Sequence, residues 1–400
     1  MSAQDASPAA FPFLRLPREL RDEVYSLLLD PHNFRIELED DLVEYKYDLR
    51  LLRVNRQIYD EARQVFRRLN TFARIETPWP EAKTHISDEG RVPIIASGTA
   101  ATTFDAVHLR VYIEAYQYSF GEGHTHHLVI LAEHLHAFCK MWYYSDLSHP
   151  GLNAHLRLVL TLQDPYAVEN VEKPLPPSLK RTLLEPFREI KGLHEMRVNG
   201  QGDETIEKAL RDAQAVPYNS PEDCLEEATR LKDEGNAALK KNSFQEALRL
   251  YEGAFAAMHI VVSGKRRSIW GNAFFETHCR SGKYEGQHAQ LVCLVLRVKL
   301  VANTTQTYLK MEDYYMAKFW GMRSIQLMRE GMGVENDDED EPMLGFAAAN
   351  EMGKIYYRTG LACRAMGERE QARKLLRIAA QYLPRDPHVS TALASVALMI

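Results

Sequence analysis

The chain has 400 residues, 45% of them hydrophobic and 26% charged. At about 100 to 200 residues per domain this implies two or three cores and excludes a single small module, global disorder, a collagen-like fibre and a membrane-embedded class. Its 49 basic and 55 acidic side chains leave a formal charge of -6, so the body repels polyanions and an anionic partner must meet a local basic groove. Five cysteines, Cys139, Cys224, Cys279, Cys293 and Cys363, form no CxxC pair and are odd in number, which fits a reducing compartment better than a disulfide framework or a zinc ribbon.

Residues 1–12 are small, polar and acidic, without the basic start and apolar core of a secretory leader, and are expected to form a loose tail. Residues 13–75 carry two apolar-periodic helical runs, Leu20 to Leu29 and Leu49 to Phe72, on either side of an acidic, tyrosine-bearing stretch around Asp40. Phe13-Leu-Arg-Leu-Pro-Arg-Glu-Leu20 places proline at a helix start. The second run continues through Leu51-Leu-Arg-Val-Asn-Arg-Gln-Ile58 and Glu61-Ala-Arg-Gln-Val-Phe66. This segment resembles the F-box-like modules of fungal proteins, and the resemblance implies that Leu16, Pro17, Leu20 and Val24 dock on the Skp-type adaptor of a cullin ubiquitin ligase. The same residues also read as an apolar helical hairpin packed on the middle domain.

From 76 to 216 the period changes. Val107 to Ile113 and His155 to Leu162 have strand character, whereas His127 to Tyr144 and Ser178 to Lys191 have helical spacing, so a mixed α/β domain is expected. Leu183 to Val198 reads helix, turn, strand, as in the companion region of those fungal proteins, which favours a scaffold over a catalytic domain.

Residues 217–400 read as helical throughout, rich in Ala, Leu, Glu, Lys and Arg. Small residues recur at Gly235, Ala247 and Ala254, at Thr305, Ala317 and Ser324, and at Gly360, Ala372 and Ala379, each triplet stepping by twelve and then seven. Paired helices that cross closely demand small side chains at the crossing, and each pair buries its apolar face on the next. Large residues fill the other seams, Leu231, Phe244, Leu248 and Tyr251 in the first unit and Tyr308, Tyr314 and Trp320 in or near the second. The segment resembles the tetratricopeptide repeat (TPR) in three copies. The first positions of the triplets lie 70 and 55 residues apart, so the links hold about 36 and 21 residues beyond one 34-residue period. The first excess falls in Ile260 to His288 as longer helices or a long loop. The second contains Glu335-Asn-Asp-Asp-Glu-Asp-Glu341, expected to be a solvated loop. His388 to Met399 is expected to cap the array.

Lys232 and Asn236 share a face of the first helix of the array, Lys354 and Arg358 share a face of the third pair's first helix, and Asn303 lies two residues before Thr305. Three cations and two amides converging on one cavity suit an anionic peptide end. These residues resemble the dicarboxylate clamp of tetratricopeptide co-chaperones. The resemblance implies that they grip the Glu-Glu-Val-Asp carboxyl terminus of cytosolic heat-shock chaperones, with Lys232, Lys354 and Arg358 neutralising carboxylates and Asn236 and Asn303 orienting them.

His124, His126, His127, His134 and His136 crowd one segment without HExxH spacing or a cysteine partner. Ser263-Gly-Lys265 and Ser281-Gly-Lys283 lack the rest of a P-loop, there is no GxSxG, and Lys265-Arg-Arg267 is too short to argue for nucleic acid. The apolar run Ala289 to Ala302 is broken by Arg297 and Lys299 and falls short of a bilayer core of about 30 Å. The sequence therefore predicts an α+β multidomain protein: an F-box-like helical module, a mixed α/β middle domain and an all-α TPR superhelix with three repeats and a cap. It is expected to be a non-enzymatic adaptor in the cytoplasm, with the nucleus as a second compartment. No catalytic residue, cofactor, metal, nucleic acid or membrane is expected. The partner would be a chaperone tail. The alternative readings are an F-box substrate receptor whose repeats hold the target, and an interaction scaffold that binds neither.

Overall fold

A computed structural model describes residues 11–38, 42–116, 125–167, 174–331 and 344–397. The chain divides into two compact units, Met1–Asp146 with Gly151–Tyr218, and Leu147–Pro150 with Asn219–Ile400.

The first unit opens with helix α1 (Arg18–Leu29), which follows Pro17, a hairpin of β1 (Arg35–Glu37) and β2 (Val43–Tyr45), and α2 (Arg56–Leu69). Asn55 caps α2, its side-chain oxygen accepting from the Ile58 amide at 2.9 Å. The second apolar run is thus shorter than its periodicity suggested, because Arg50–Arg53 forms a separate 3-10 turn before that cap. Tyr25 and Leu29 of α1 bury against Ile58, Ala62 and Val65 of α2.

Between these helices lies a buried ion pair. Arg21 donates to Glu61 through Nε at 2.8 Å and Nη2 at 2.6 Å, and the Tyr25 hydroxyl donates to the same carboxylate at 3.0 Å. The guanidinium, helped by Gln57 and Tyr25 and opposed by burial, holds the Glu61 carboxyl down to about 2. A carboxyl depressed in the folded state contributes stability above its ordinary 4.5 and loses it as pH falls toward about 2. Glu61→Gln is therefore expected to lower the unfolding midpoint at neutral pH, with the gap to the parent closing through that acid window. Unfolding curves of both proteins across pH check this, and a gap independent of pH would contradict it.

The middle of the chain forms a six-stranded mixed sheet in the order β4-β6-β3-β5-β7-β8, with β3 Phe72–Thr77, β4 Ala96–Ser97, β5 Val107–Glu114, β6 His126–Leu131, β7 Arg157–Leu162 and β8 Glu195–Gly200. β3 runs parallel to β5 and antiparallel to β6, and β7 runs parallel to β8. The single-turn helices α3 (Ala82–Thr84) and α4 (Thr99–Thr102) lie in the connections, and α5 (Leu135–Ser148), α6 (Pro177–Leu184) and α7 (Glu204–Ala215) complete the set. Alternation along the strands sends Ala73, Ile75, Leu109, Val111, Leu128 and Ile130 to one core with Phe138, Trp142 and Phe187, and Phe72, Val129 and Leu131 to another with Phe34 and Tyr45.

Two expectations are corrected here. A boundary at residue 75 cuts β3, an inner strand of the sheet, so 13–75 and 76–216 belong to one compact unit. His127 to Tyr144 is not one helix, because Leu128-Val-Ile-Leu131 pairs with β3 before α5 begins. A short unbroken apolar run has no period to separate strand from buried helix.

The second unit contains three helix pairs, α8 (Pro221–Lys240) with α9 (Phe244–Ala257), α10 (Ala289–Lys310) with α11 (Tyr314–Gly331), and α12 (Ala349–Ala365) with α13 (Arg369–Tyr382), followed by α14 (Pro387–Ala397). A capping box closes the start of α8, Ser220 and Asp223 each bonding the other's backbone amide. All nine small positions of the triplets are buried. A methyl group at Gly235 would lie 2.5 Å from Tyr251 Cε1, and one at Gly360 2.9 Å from Leu376 Cγ, so both crossings are as close as the spacing implied. Seven residues after each first small position, the chain turns through left-handed backbone at Asn242, Glu312 and Gly367, with φ of 59°, 60° and 83°.

The expectation of a helical unit without strands fails at the first link. Ile260–Ser263 (β9) and Arg266–Ile269 (β10) form an antiparallel hairpin, with Gly264 at φ 53° opening its two-residue turn. The β-branched pair Val261-Val262 and that glycine favour a hairpin over continued helix. The terminal helix buries Val389, Ala392 and Val396 in the core of the unit. The acidic run 335–341 lies outside the described residues. No helix among the described residues is long and apolar enough to cross a membrane.

Candidate functional site

Helix α10 packs against both α8 and α12, so residues from the first helix of each pair meet on one surface. Asn236 on α8 accepts two hydrogen bonds at Oδ1, from Asn303 Nδ2 on α10 at 2.7 Å and from the Tyr251 hydroxyl on α9 at 2.9 Å. Arg358 on α12 reaches the same stretch of α10, its Nη1 donating to the Ala302 carbonyl at 2.6 Å. The Thr307 hydroxyl donates to the Asn303 carbonyl at 2.9 Å and also lies in hydrogen-bonding reach of Tyr251.

The chemistry follows from how these groups are spent. With Oδ1 of Asn236 accepting twice, its Nδ2 is the end left to donate, and it has no partner among the described residues. Arg358 is half-buried. Loss of solvent lowers its pKa to about 10, against small opposing effects of Tyr251, Tyr357 and Glu351, so it remains charged at neutral pH. Burial likewise pushes the Tyr251 hydroxyl up to about 12, with Arg358 acting in the opposite direction, so the phenol stays protonated and donates.

The two lysines are placed differently. Lys232 lies one turn before Asn236, and its Nζ is 3.0 Å from Oδ1 of the adjacent Asp233. Lys354 lies one turn before Arg358, with Nζ 3.8 Å from Glu351 Oε1. Asn236, Asn303 and Arg358 thus join one patch through direct contacts or neighbouring backbone, while Lys232 and Lys354 stand one turn away on its two flanking helices, each beside an acid of its own helix. Arg358 is not a free cation as the spacing implied, since part of its fork holds the α10 backbone. By sequence Tyr251 is a packing residue of the first seam. Its ring does pack against Gly235, but its hydroxyl also fixes the Asn236 amide, and the fifteen-residue step between them gives no sequence signal for that bond.

The residues assigned to adaptor docking lie on α1. Pro17 precedes the first turn, the Leu16 carbonyl accepts from Arg21 Nη1, and Val24 is half-buried. Leu20, Val24, Leu27 and Leu28 share one helical face, on which Leu20 is 45%, Leu27 71% and Leu28 50% exposed.

A cavity of about 730 Å³ in the first unit is lined by Asp146, Asn153, Lys191, His194 and Tyr218 among others. Its polar groups are largely bonded within the chain: the Asn153 amide donates to Asp146 at 3.1 Å, Asn153 Nδ2 to the Lys191 carbonyl at 2.7 Å, and Trp142 Nε1 to Asn153 at 2.8 Å. Burial raises the Asp146 carboxyl, opposed by the Asn153 amide and the Tyr218 hydroxyl. This network ties the end of α5 to the loop before β8.

No family model matches the chain, and no curated protein matches it. Among solved structures, the C-terminal TPR-containing domain of a Plasmodium falciparum protein named as an FK506-binding protein aligns over 45% of this chain and 91% of its own, at 20% identity and a TM-score of 0.29. A score of that size does not establish a shared fold, and the description of the array rests on its own helices.

Proposed function

We propose that this chain is a non-enzymatic interaction adaptor whose C-terminal array, of the tetratricopeptide type, binds the acidic carboxyl-terminal tail of cytosolic heat-shock chaperones. One observation carries the reading: Asn236, Tyr251, Asn303 and Arg358, from four helices, gather at one patch that leaves the Asn236 amide free to donate. Lys232 and Lys354 flank it one turn away. A terminal carboxylate beside an aspartate side chain offers paired acceptors, and amide, ammonium and guanidinium donors grip such a group by charge-assisted bonds. With the lysines partly exposed, binding is expected to be micromolar and weakened by salt.

Calorimetric titration of a peptide ending in Glu-Glu-Val-Asp against the full chain and its Lys354→Glu variant tests this. Charge reversal at the rim is expected to weaken binding by about tenfold, and equal affinities would defeat the reading.

A second reading, an F-box-type substrate receptor with the array holding the target, is favoured by the exposed stripe of Leu20, Leu27 and Leu28 on α1. It predicts that a Skp-type adaptor co-purifies with the chain and is lost on Leu16→Ala with Pro17→Ala.

A further inference from the structure

Three arginines from three elements of the second unit, none of them assigned to the tail patch, act on one another with no acid paired to them among the described residues. Arg267 on β10 is 8% exposed, and its Nε and Nη1 are buried with no hydrogen-bond partner. Its guanidinium lies 5.7 Å from the centroid of the Trp320 ring, a contact with a π face but not a counter-charge. Arg323 on α11 donates to the backbone carbonyls of Lys265 and Arg267 at 2.9 and 3.3 Å, which binds the hairpin to that helix. Half-buried Arg297 on α10 makes no hydrogen bond or ion pair among the described residues.

The hydrogen bond from Arg323 to the Arg267 carbonyl fixes these two together, and the charge of Arg297 acts on Arg267. Burial, and then the repulsion of Arg297 and Arg323, bring Arg267 down to about 9. Arg297 is lowered by burial and by Arg323, and the acidic group acting on it is the Cys293 thiol. That thiol is itself pushed up by burial to about 11 and so is protonated at neutral pH. A guanidinium buried without hydrogen bonds or a counter-ion is costly, and proteins normally pair such a group. Here the charges of two further cations act on it, and two of its nitrogens have no acceptor among the described residues. A group that would balance them is compact, with several acceptor oxygens and more than one negative charge. A phosphate group has that form, and arginine forks suit its oxygens. A carboxylate would leave more of the positive charge unbalanced.

We propose that Arg267, Arg297 and Arg323, held between the β9–β10 hairpin and helices α10 and α11, form a phosphate-binding site distinct from the tail patch. It uses none of the residues assigned to the tail and stands whether or not the array binds one. Arg267 is the buried member, and Arg297 and Arg323 are half-buried. The two sources of the group are free inorganic phosphate and a phosphate ester.

The test is thermal unfolding of the full chain with inorganic phosphate or O-phosphoserine, each compared with sodium chloride at equal ionic strength. A saturable rise in midpoint beyond the chloride control is expected, and the more effective probe identifies the source. Arg297→Met, which removes no hydrogen bond to the hairpin, is expected to abolish the rise while leaving the midpoint without phosphate unchanged or higher. Arg267→Met is expected to do the same, and if it fails to fold, Arg297→Met decides. A wild-type response no larger than that to chloride overturns the proposal, as does an undiminished response in Arg297→Met.

Discussion

Arg358→Met is expected to weaken binding of the tail peptide by about 30-fold or more, while the unfolding midpoint of the free chain stays unchanged or rises. The two halves of this result have one cause. Arg358 is held in a desolvated setting where burial has the largest effect on its charge, and its hydrogen bond goes to a backbone carbonyl, Ala302, and not to a carboxylate. A guanidinium so placed is not a net source of stability, and an apolar isostere removes the desolvation cost. The binding loss follows because removal of a buried, hydrogen-bonded charge at an interface typically costs about 2 to 5 kcal/mol. Calorimetric titration and a melting curve of the same sample check both halves. Unchanged affinity with a lowered midpoint would show Arg358 to be a structural residue.

The second large effect concerns the array itself. Gly321→Ala is expected to destabilise the second unit by about 1 to 3 kcal/mol, the usual cost of forcing added volume into a filled crossing. A methyl group at Gly321 would fall on the Thr359 hydroxyl and within 2.9 Å of its Cβ, across the contact between α11 and α12. Thr359 is fully buried, and its hydroxyl donates to its own helix at the Ile355 carbonyl at 2.7 Å. It therefore has little room to turn away. The clash should be coupled to that side chain, so Gly321→Ala combined with Thr359→Ala is expected to recover much of the lost stability. Denaturant unfolding of both single variants and the double variant gives the coupling directly. Simple additivity would mean that the crossing relaxes elsewhere.

How far the chain could be read before folding depends on the range of the interaction. The triplets were legible because close helix crossings impose small residues at fixed steps, and every one of the nine is buried. The same step locates the left-handed turns, although Glu312 gives no residue-type hint of one where Asn242 and Gly367 do. Helix-face spacing also placed Lys232 with Asn236 and Lys354 with Arg358.

What was not legible depends on partners distant in sequence. Phe72–Thr77 reads as the tail of a helical segment until Val107 and Leu131 are seen beside it. The acceptor role of Asn236 needs a tyrosine from another helix, and the exposed or spent state of each cation depends on neighbours that spacing does not specify. In the sequence Arg297 interrupts an apolar run and Arg267 ends a short basic patch. Their convergence required the hairpin that the composition had hidden.

The measurement that bears most directly on the tail-binding claim is a paired titration of the full chain with one acidic peptide, its carboxyl terminus free in one sample and amidated in the other. On the proposed reading the patch of Asn236, Asn303 and Arg358, with Lys232 and Lys354 one turn away, would receive the terminal carboxylate, so the amidated form is expected to bind about tenfold or more weakly. Equal binding of the two peptides, or no binding of either, would contradict the account.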